Sequence, residues 1–230
     1  AAQFTAIGLA VYAVDLRGRG KSSGLRFHVQ HFEDYLADVQ SVMDVARSRE
    51  PAVPVFLLGH SAGGVIASAY ALEHQDELAG LICESFALQV PAPAPVLALV
   101  RWLSGPFPKL RVLRLPNKEF SRMPDAVAAL DADPLIAGEK QTALTVAQML
   151  AGSDRLRRGF PTLRLPVLIA HGTADKVTVP GGSQLFHDTA GSADKTLRLY
   201  PEHAHDLLND VGREQVMHEF KQWIEARLAT

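Results

Sequence analysis

The chain has 230 residues, 47% of them hydrophobic and 21% charged, which suits a single water-facing domain with one core and an insertion. Its formal net charge of −2 argues against electrostatic binding to nucleic acid, which wants a basic face. The single cysteine, Cys83, excludes an internal disulfide, and its setting in Leu81-Ile82-Cys83-Glu84 predicts a buried structural thiol.

Residues 1–7 read as the end of a helix closed by Gly8, the usual residue for a left-handed C-terminal cap. Residues 9–14 follow as a continuous apolar strand, the kind expected when both faces of a sheet are covered. The next loop, 15–24, is glycine-rich and basic. Its spacing matches neither Gly-x-x-x-x-Gly-Lys-Ser/Thr nor Gly-x-Gly-x-x-Gly, so a phosphate cradle is not read there. Residues 32–47 form an amphipathic helix with Phe32, Tyr35, Leu36, Val39, Val42, Met43 and Ala46 on its inner face. Glu33, Asp34, Asp38 and Asp44 read as its solvated side.

From Val53 to Leu72 the sequence has no Asp, Glu, Lys or Arg, yet Pro54, three glycines and His60 interrupt the run. A buried strand followed by a helix explains this better than a bilayer helix does. The break is Gly59-His60-Ser61-Ala62-Gly63, the Gly-x-Ser-x-Gly pattern of a serine presented on a sharp strand-to-helix turn. Side chains at Gly59 and Gly63 are expected to collide with the turning chain. The helix N-terminus that follows puts the Ala62 N–H where a developing oxyanion would sit.

Residues 78–85 are the next buried strand, so strand and helix alternate, predicting a mostly parallel sheet with helices on both faces. The proline-rich run 90–95 ends that alternation. Residues 96–103 form a short apolar helix, with further helices over 125–130 and 142–150. The chain thus divides into a first core part (1–89), a helical lid insertion (90–160) and a second core part (161–230). The apolar residues of the insertion suit either a substrate-facing lid or a plain cover for the core. Strand 165–170 leads into His171-Gly172-Thr173-Ala174-Asp175, a helix covers 183–189, and the last strand is 196–200. The closing helix, 214–228, turns Val216, Met217, Phe220, Trp223, Ile224 and Leu228 inward.

Functional groups of an open parallel sheet gather at the carboxyl ends of its strands. Three such ends carry Ser61, Asp175 and a histidine after Tyr200, in the order Ser, Asp, His that an α/β-hydrolase triad requires. A serine hydroxyl needs a histidine to take its proton during attack, and an aspartate to fix that histidine's tautomer. On this reasoning alone, His203 and His205 both qualify.

Four segments, Asp15-Leu16-Arg17-Gly18-Arg19-Gly20, Gly59-His60-Ser61-Ala62-Gly63-Gly64, His171-Gly172-Thr173-Ala174-Asp175 and Tyr200…His205-Asp206, resemble the monoacylglycerol lipase and lysophospholipase branch of the α/β-hydrolases. The resemblance spans the chain. It implies His205 as the base, five residues after the strand-ending tyrosine, with His203 as a loop neighbour and His171 shaping the turn before Asp175. It implies a serine ester hydrolase that forms an acyl-enzyme on monoacylglycerols, lysophospholipids or other apolar acyl esters, with no metal or organic cofactor. It also implies a His-Gly oxyanion loop upstream of residue 1, so the natural chain is expected to begin earlier. A peptidase or thioesterase on the same fold, and a non-catalytic lipid- or partner-binding protein, are the alternatives. No secretory leader is read, so a cytoplasmic location is expected, with the apolar lid compatible with peripheral membrane contact.

Overall fold

The computed structural model describes residues 1–228. In chain order it holds α1 (Ala2–Thr5), α2 (Phe32–Arg49), β1 (Phe56–His60), α3 (Ala62–Glu73) and β2 (Gly80–Glu84). The insertion contributes α4 (Ala94–Leu103), β3 (Arg111–Leu113), α5 (Pro124–Ala132), β4 (Gln141–Thr142) and α6 (Ala143–Gly159). The chain closes with β5 (Val167–Gly172), α7 (Pro180–Thr189), β6 (Lys195–Tyr200) and α8 (Arg213–Leu228).

The main sheet is parallel, ordered β1-β2-β5-β6. Every residue of β2 and β5 is buried, which is why residues 81–83 and 167–170 read as apolar runs rather than alternating ones. Buried side chains of α2, α3, α6 and α7 form the core on one face, and α8 forms a smaller cluster on the other with Ile82, Leu168, Tyr200 and Leu207. The expected α/β architecture with both faces covered is therefore present.

One expected strand is missing. Residues 9–14 form no ladder among the described residues, and Val11 and Val14 are exposed. An apolar run becomes a strand only where a neighbour supplies partners for its N–H and C=O groups, and none lies alongside this one among the described residues. In its place the structure adds a two-stranded antiparallel ribbon of β3 and β4, too short to leave a sequence period.

Helix ends shift for local reasons. α6 runs to Gly159 rather than stopping near 150, because Gly152 is the gap into which the Phe32 ring packs. Gly152 is a point of close approach between α6 and α2. On α8, Val216, Phe220, Trp223 and Ile224 are buried as expected, but Met217 is only half-buried and Leu228 is exposed. The acidic face of α2 is less free than its pattern suggests. Asp34 and Asp38 take the Arg17 guanidinium at 2.8 Å each, so the basic loop 15–24 spends part of its charge inside the molecule. Cys83 is buried against the Ser68 hydroxyl at 3.1 Å, and burial pushes its thiol up to about 12. Among the described residues no helix is long and apolar enough to cross a membrane.

Candidate active site

The site begins at the junction of β1 and α3. Ser61 has φ 54° and ψ −121°, in the left-handed half of backbone space that a non-glycine residue enters only under constraint. Its N–H donates to the Glu84 carbonyl at 3.0 Å, and its own carbonyl accepts from Gly64 and Ala87 at 3.0 Å each, so the turn is held from both sides. Two close approaches make the turn fit. A Cβ on Gly59 would collide with the Gly63 carbonyl, and one on Gly64 would strike the Phe86 Cβ. Gly63 itself faces open space. The steric demand expected at Gly63 therefore falls one residue later, where the helix meets Phe86. Ala62 is the first residue of α3, so its N–H has no acceptor within the helix.

Asp175 lies in the turn after β5. Its Oδ1 accepts the Val177 and Thr178 N–H groups at 2.7 and 2.9 Å. Its Oδ2 takes the Thr178 hydroxyl at 2.7 Å, His205 Nδ1 at 2.7 Å and His171 Nε2 at 3.0 Å. Burial by itself raises this carboxyl, but the hydrogen bonds from His171 and His205 outweigh it and hold the group far below the usual carboxylate range. A carboxylate with five donors stays ionised and fixed in place.

His205 is fully buried. With Nδ1 donating to Asp175, the opposite nitrogen is the unprotonated one, and Nε2 has no hydrogen-bond partner among the described residues. Burial pushes the imidazole below its ordinary value, partly countered by the Asp175 hydrogen bond. Its ring is bracketed by His60, with centroids 4.7 Å apart, and by Phe120, edge-on at 5.0 Å. His60 immediately precedes Ser61, so the elbow and the histidine turn meet at these rings. The competing histidine does not join them. His203 Nδ1 lies 3.0 Å from the Pro201 carbonyl and its ring packs on Tyr200.

His171 goes further than the turn-shaping place expected of it. Its Nδ1 accepts from the Ser183 hydroxyl at 2.7 Å while Nε2 reaches Asp175, so two imidazoles share one carboxylate oxygen. Thr178 went unnoticed in the sequence, although a hydroxyl three residues after a turn aspartate is a known local pairing. Glu84 also went unnoticed. It sits in a strand that reads as apolar, is 2% exposed, and its Oε1 accepts the Leu208 N–H at 3.3 Å.

Comparison with known proteins yields a consistent set. The family described as serine aminopeptidase, S33 (Hydrolase_4) matches residues 1–212. The chain is 31% identical over 230 residues to a monoacylglycerol lipase of Mycolicibacterium smegmatis, covering 99% of this chain and 82% of the relative. It is 32% identical over 229 residues to the monoglyceride lipase of Homo sapiens, covering 97% and 76%. The crystal structure of Paleococcus ferrophilus monoacylglycerol lipase superposes with a TM-score of 0.82 at 28% identity, covering 91% of this chain and 80% of that one.

Proposed function

Because the chain belongs to the serine aminopeptidase S33 (Hydrolase_4) family, we propose that it is a serine ester hydrolase of the monoacylglycerol lipase type, acting through Ser61, His205 and Asp175. One observation carries the assignment of residues: His205 is held by Asp175 through Nδ1 at 2.7 Å, its other nitrogen has no partner among the described residues, and its ring packs on His60, the residue before a serine on a strained strand-to-helix turn. Ser61 Oγ attacks the acyl carbonyl as its proton passes to His205 Nε2. The imidazolium so formed is stabilised by Asp175 and returns the proton to the departing alcohol. Water then repeats the sequence on the acyl-enzyme, releasing the fatty acid and restoring Ser61. The Ala62 N–H is one donor to the oxyanion.

The relatives are named for monoacylglycerols, and the insertion supports an apolar acyl substrate here. α4 has no buried residue, and Leu99 and Trp102 are 53% and 66% exposed. Within the 90–160 insertion α6 belongs to the core, and the apolar helix α4 accordingly acts as the lid, resting on the membrane or micelle that holds the lipid, while the protein itself works from the cytoplasm.

Labelling with a fluorophosphonate probe, followed by hydrolysis of a monoacylglycerol and of p-nitrophenyl esters of increasing chain length, tests the reading. The expected outcome is labelling at Ser61, loss of label in Ser61→Ala, and turnover that rises with acyl length. Faster cleavage of an aminoacyl p-nitroanilide than of any ester would instead make it a peptidase.

A further inference from the structure

The turn that carries His205 is tied to the insertion by a polar network that the proposed mechanism does not use. Asp210 is completely buried. Its Oδ2 accepts the Ala204 N–H at 2.8 Å and the Arg122 Nε–H at 2.9 Å, and its Oδ1 accepts the Arg122 backbone N–H at 2.7 Å. Arg122 also donates through Nη2 to the Val211 carbonyl at 3.0 Å, and the Ser121 hydroxyl donates to the Asn209 carbonyl at 2.6 Å. On the other side of the histidine, the Asp206 N–H donates to the Phe120 carbonyl at 2.7 Å. The amides immediately before and after His205 are thus both committed to this network. The Phe120 ring also packs edge-on to the imidazole.

Asp210 cannot hold this arrangement alone. A buried carboxylate is tolerated only with compensating charge and donors. Burial works to raise this one, but the Ala204 and Arg122 amides and the Arg122 guanidinium hold it below its ordinary value. Arg122 is the single cation in the cluster and comes from the insertion, just before α5. Displacement of residues 120–122 therefore removes the charge that keeps Asp210 bonded to Ala204, and frees both sides of His205.

We infer that Asp210 is a positioning residue for His205, and that Arg122, by clasping Asp210, lets the inserted segment set the imidazole against Ser61. The inference rests on His205 being the base. A misplacement of about 1 Å in a reacting group costs on the order of 10²-fold in rate, so the clasp acts on turnover rather than on substrate affinity.

The test compares wild type with Arg122→Ala, Arg122→Lys, Asp210→Asn and, as a control ion pair remote from the site, Arg47→Ala. Folding is checked by circular dichroism, and kcat, KM and fluorophosphonate labelling rate are measured on one p-nitrophenyl ester. Arg122→Ala is expected to lower kcat and labelling rate about 10–100-fold with KM within about twofold of wild type. Arg122→Lys loses less, added guanidinium ion restores part of the Arg122→Ala loss, and Arg47→Ala is unaffected. A folded Arg122→Ala with wild-type kcat and labelling overturns the inference, as does a change confined to KM. A slow Arg122→Ala that neither guanidinium nor the lysine variant improves overturns it too. Should Asp210→Asn fail to fold, Arg122→Ala decides, since its side chain reaches the surface. His205→Ala separates the two levels. If it stays active, the proposed base is wrong; if it is inactive while Arg122→Ala is intact, only the clasp is wrong.

Discussion

At the residue scale, the shared oxygen of Asp175 decides how the site titrates. As the proposed base, His205 would react only when neutral, and burial lowers its proton affinity while Asp175 raises it. The net direction is downward, so the neutral form persists to lower pH than for a free imidazole. The acid limb of kcat/KM against pH is therefore expected below the ordinary histidine value of about 6.5. Asp175→Asn removes the contact that opposes the shift, so the limb moves lower still while kcat falls on the order of 10³–10⁴-fold. A limb above about 7 in wild type would contradict this. The sequence points to Ser61 and Asp175 because a Gly-x-Ser-x-Gly turn and a Gly-x-x-Asp turn are local patterns. The choice between His203 and His205 was not local. It came from family resemblance, and of these two histidines His205 is the one that reaches Asp175 in the structure.

At the scale of elements, the elbow separates glycines that matter sterically from one that does not. Gly64→Ala drives a methyl into the Phe86 Cβ and is expected to cost about 1–3 kcal/mol of stability in urea unfolding, the usual range for overpacking. Gly63→Ala meets nothing, and in an α-helix it is expected to be neutral or to gain about 0.5–1 kcal/mol. Equal losses in the two variants would show that the elbow constrains backbone angles rather than space. The failures of sequence reading at this scale share a cause. Residues 9–14 have strand composition without a strand neighbour, and Gly152 has breaker composition but sits beneath Phe32. Both outcomes belong to the partner and not to the segment.

For the whole molecule, Glu84 links stability to pH. Burial raises its carboxyl from 4.5 to about 7, against the opposing influence of nearby His60 and two backbone hydrogen bonds from the Leu207–Leu208 turn. The fold therefore accommodates the protonated acid. Its contribution is fully present below about pH 4.5 and is lost as pH rises through about 7. Urea midpoints compared at about pH 5 and about pH 8 are expected to fall further for wild type than for Glu84→Gln, which cannot ionise. Parallel curves would mean that Glu84 stays charged in the fold. Because its backbone carbonyl holds Ser61 and its carboxyl holds Leu208, loosening is expected first at the join between elbow and histidine turn.

The α/β class, the strand-to-helix turn at Ser61, the Gly-x-x-Asp turn at Asp175 and an apolar insertion followed from the sequence by itself, since each rests on contacts within a few residues or on a period repeated along one element. The two imidazoles on one carboxylate oxygen, the buried acid in β2 and the Arg122–Asp210 clasp were decided only by tertiary structure. Each joins groups far apart in the chain, whose hydrogen bonds and charges have no partner until the layers close. A residue pattern states what a side chain can do, and the distance to a neighbour 30 or 88 residues away decides whether it does it.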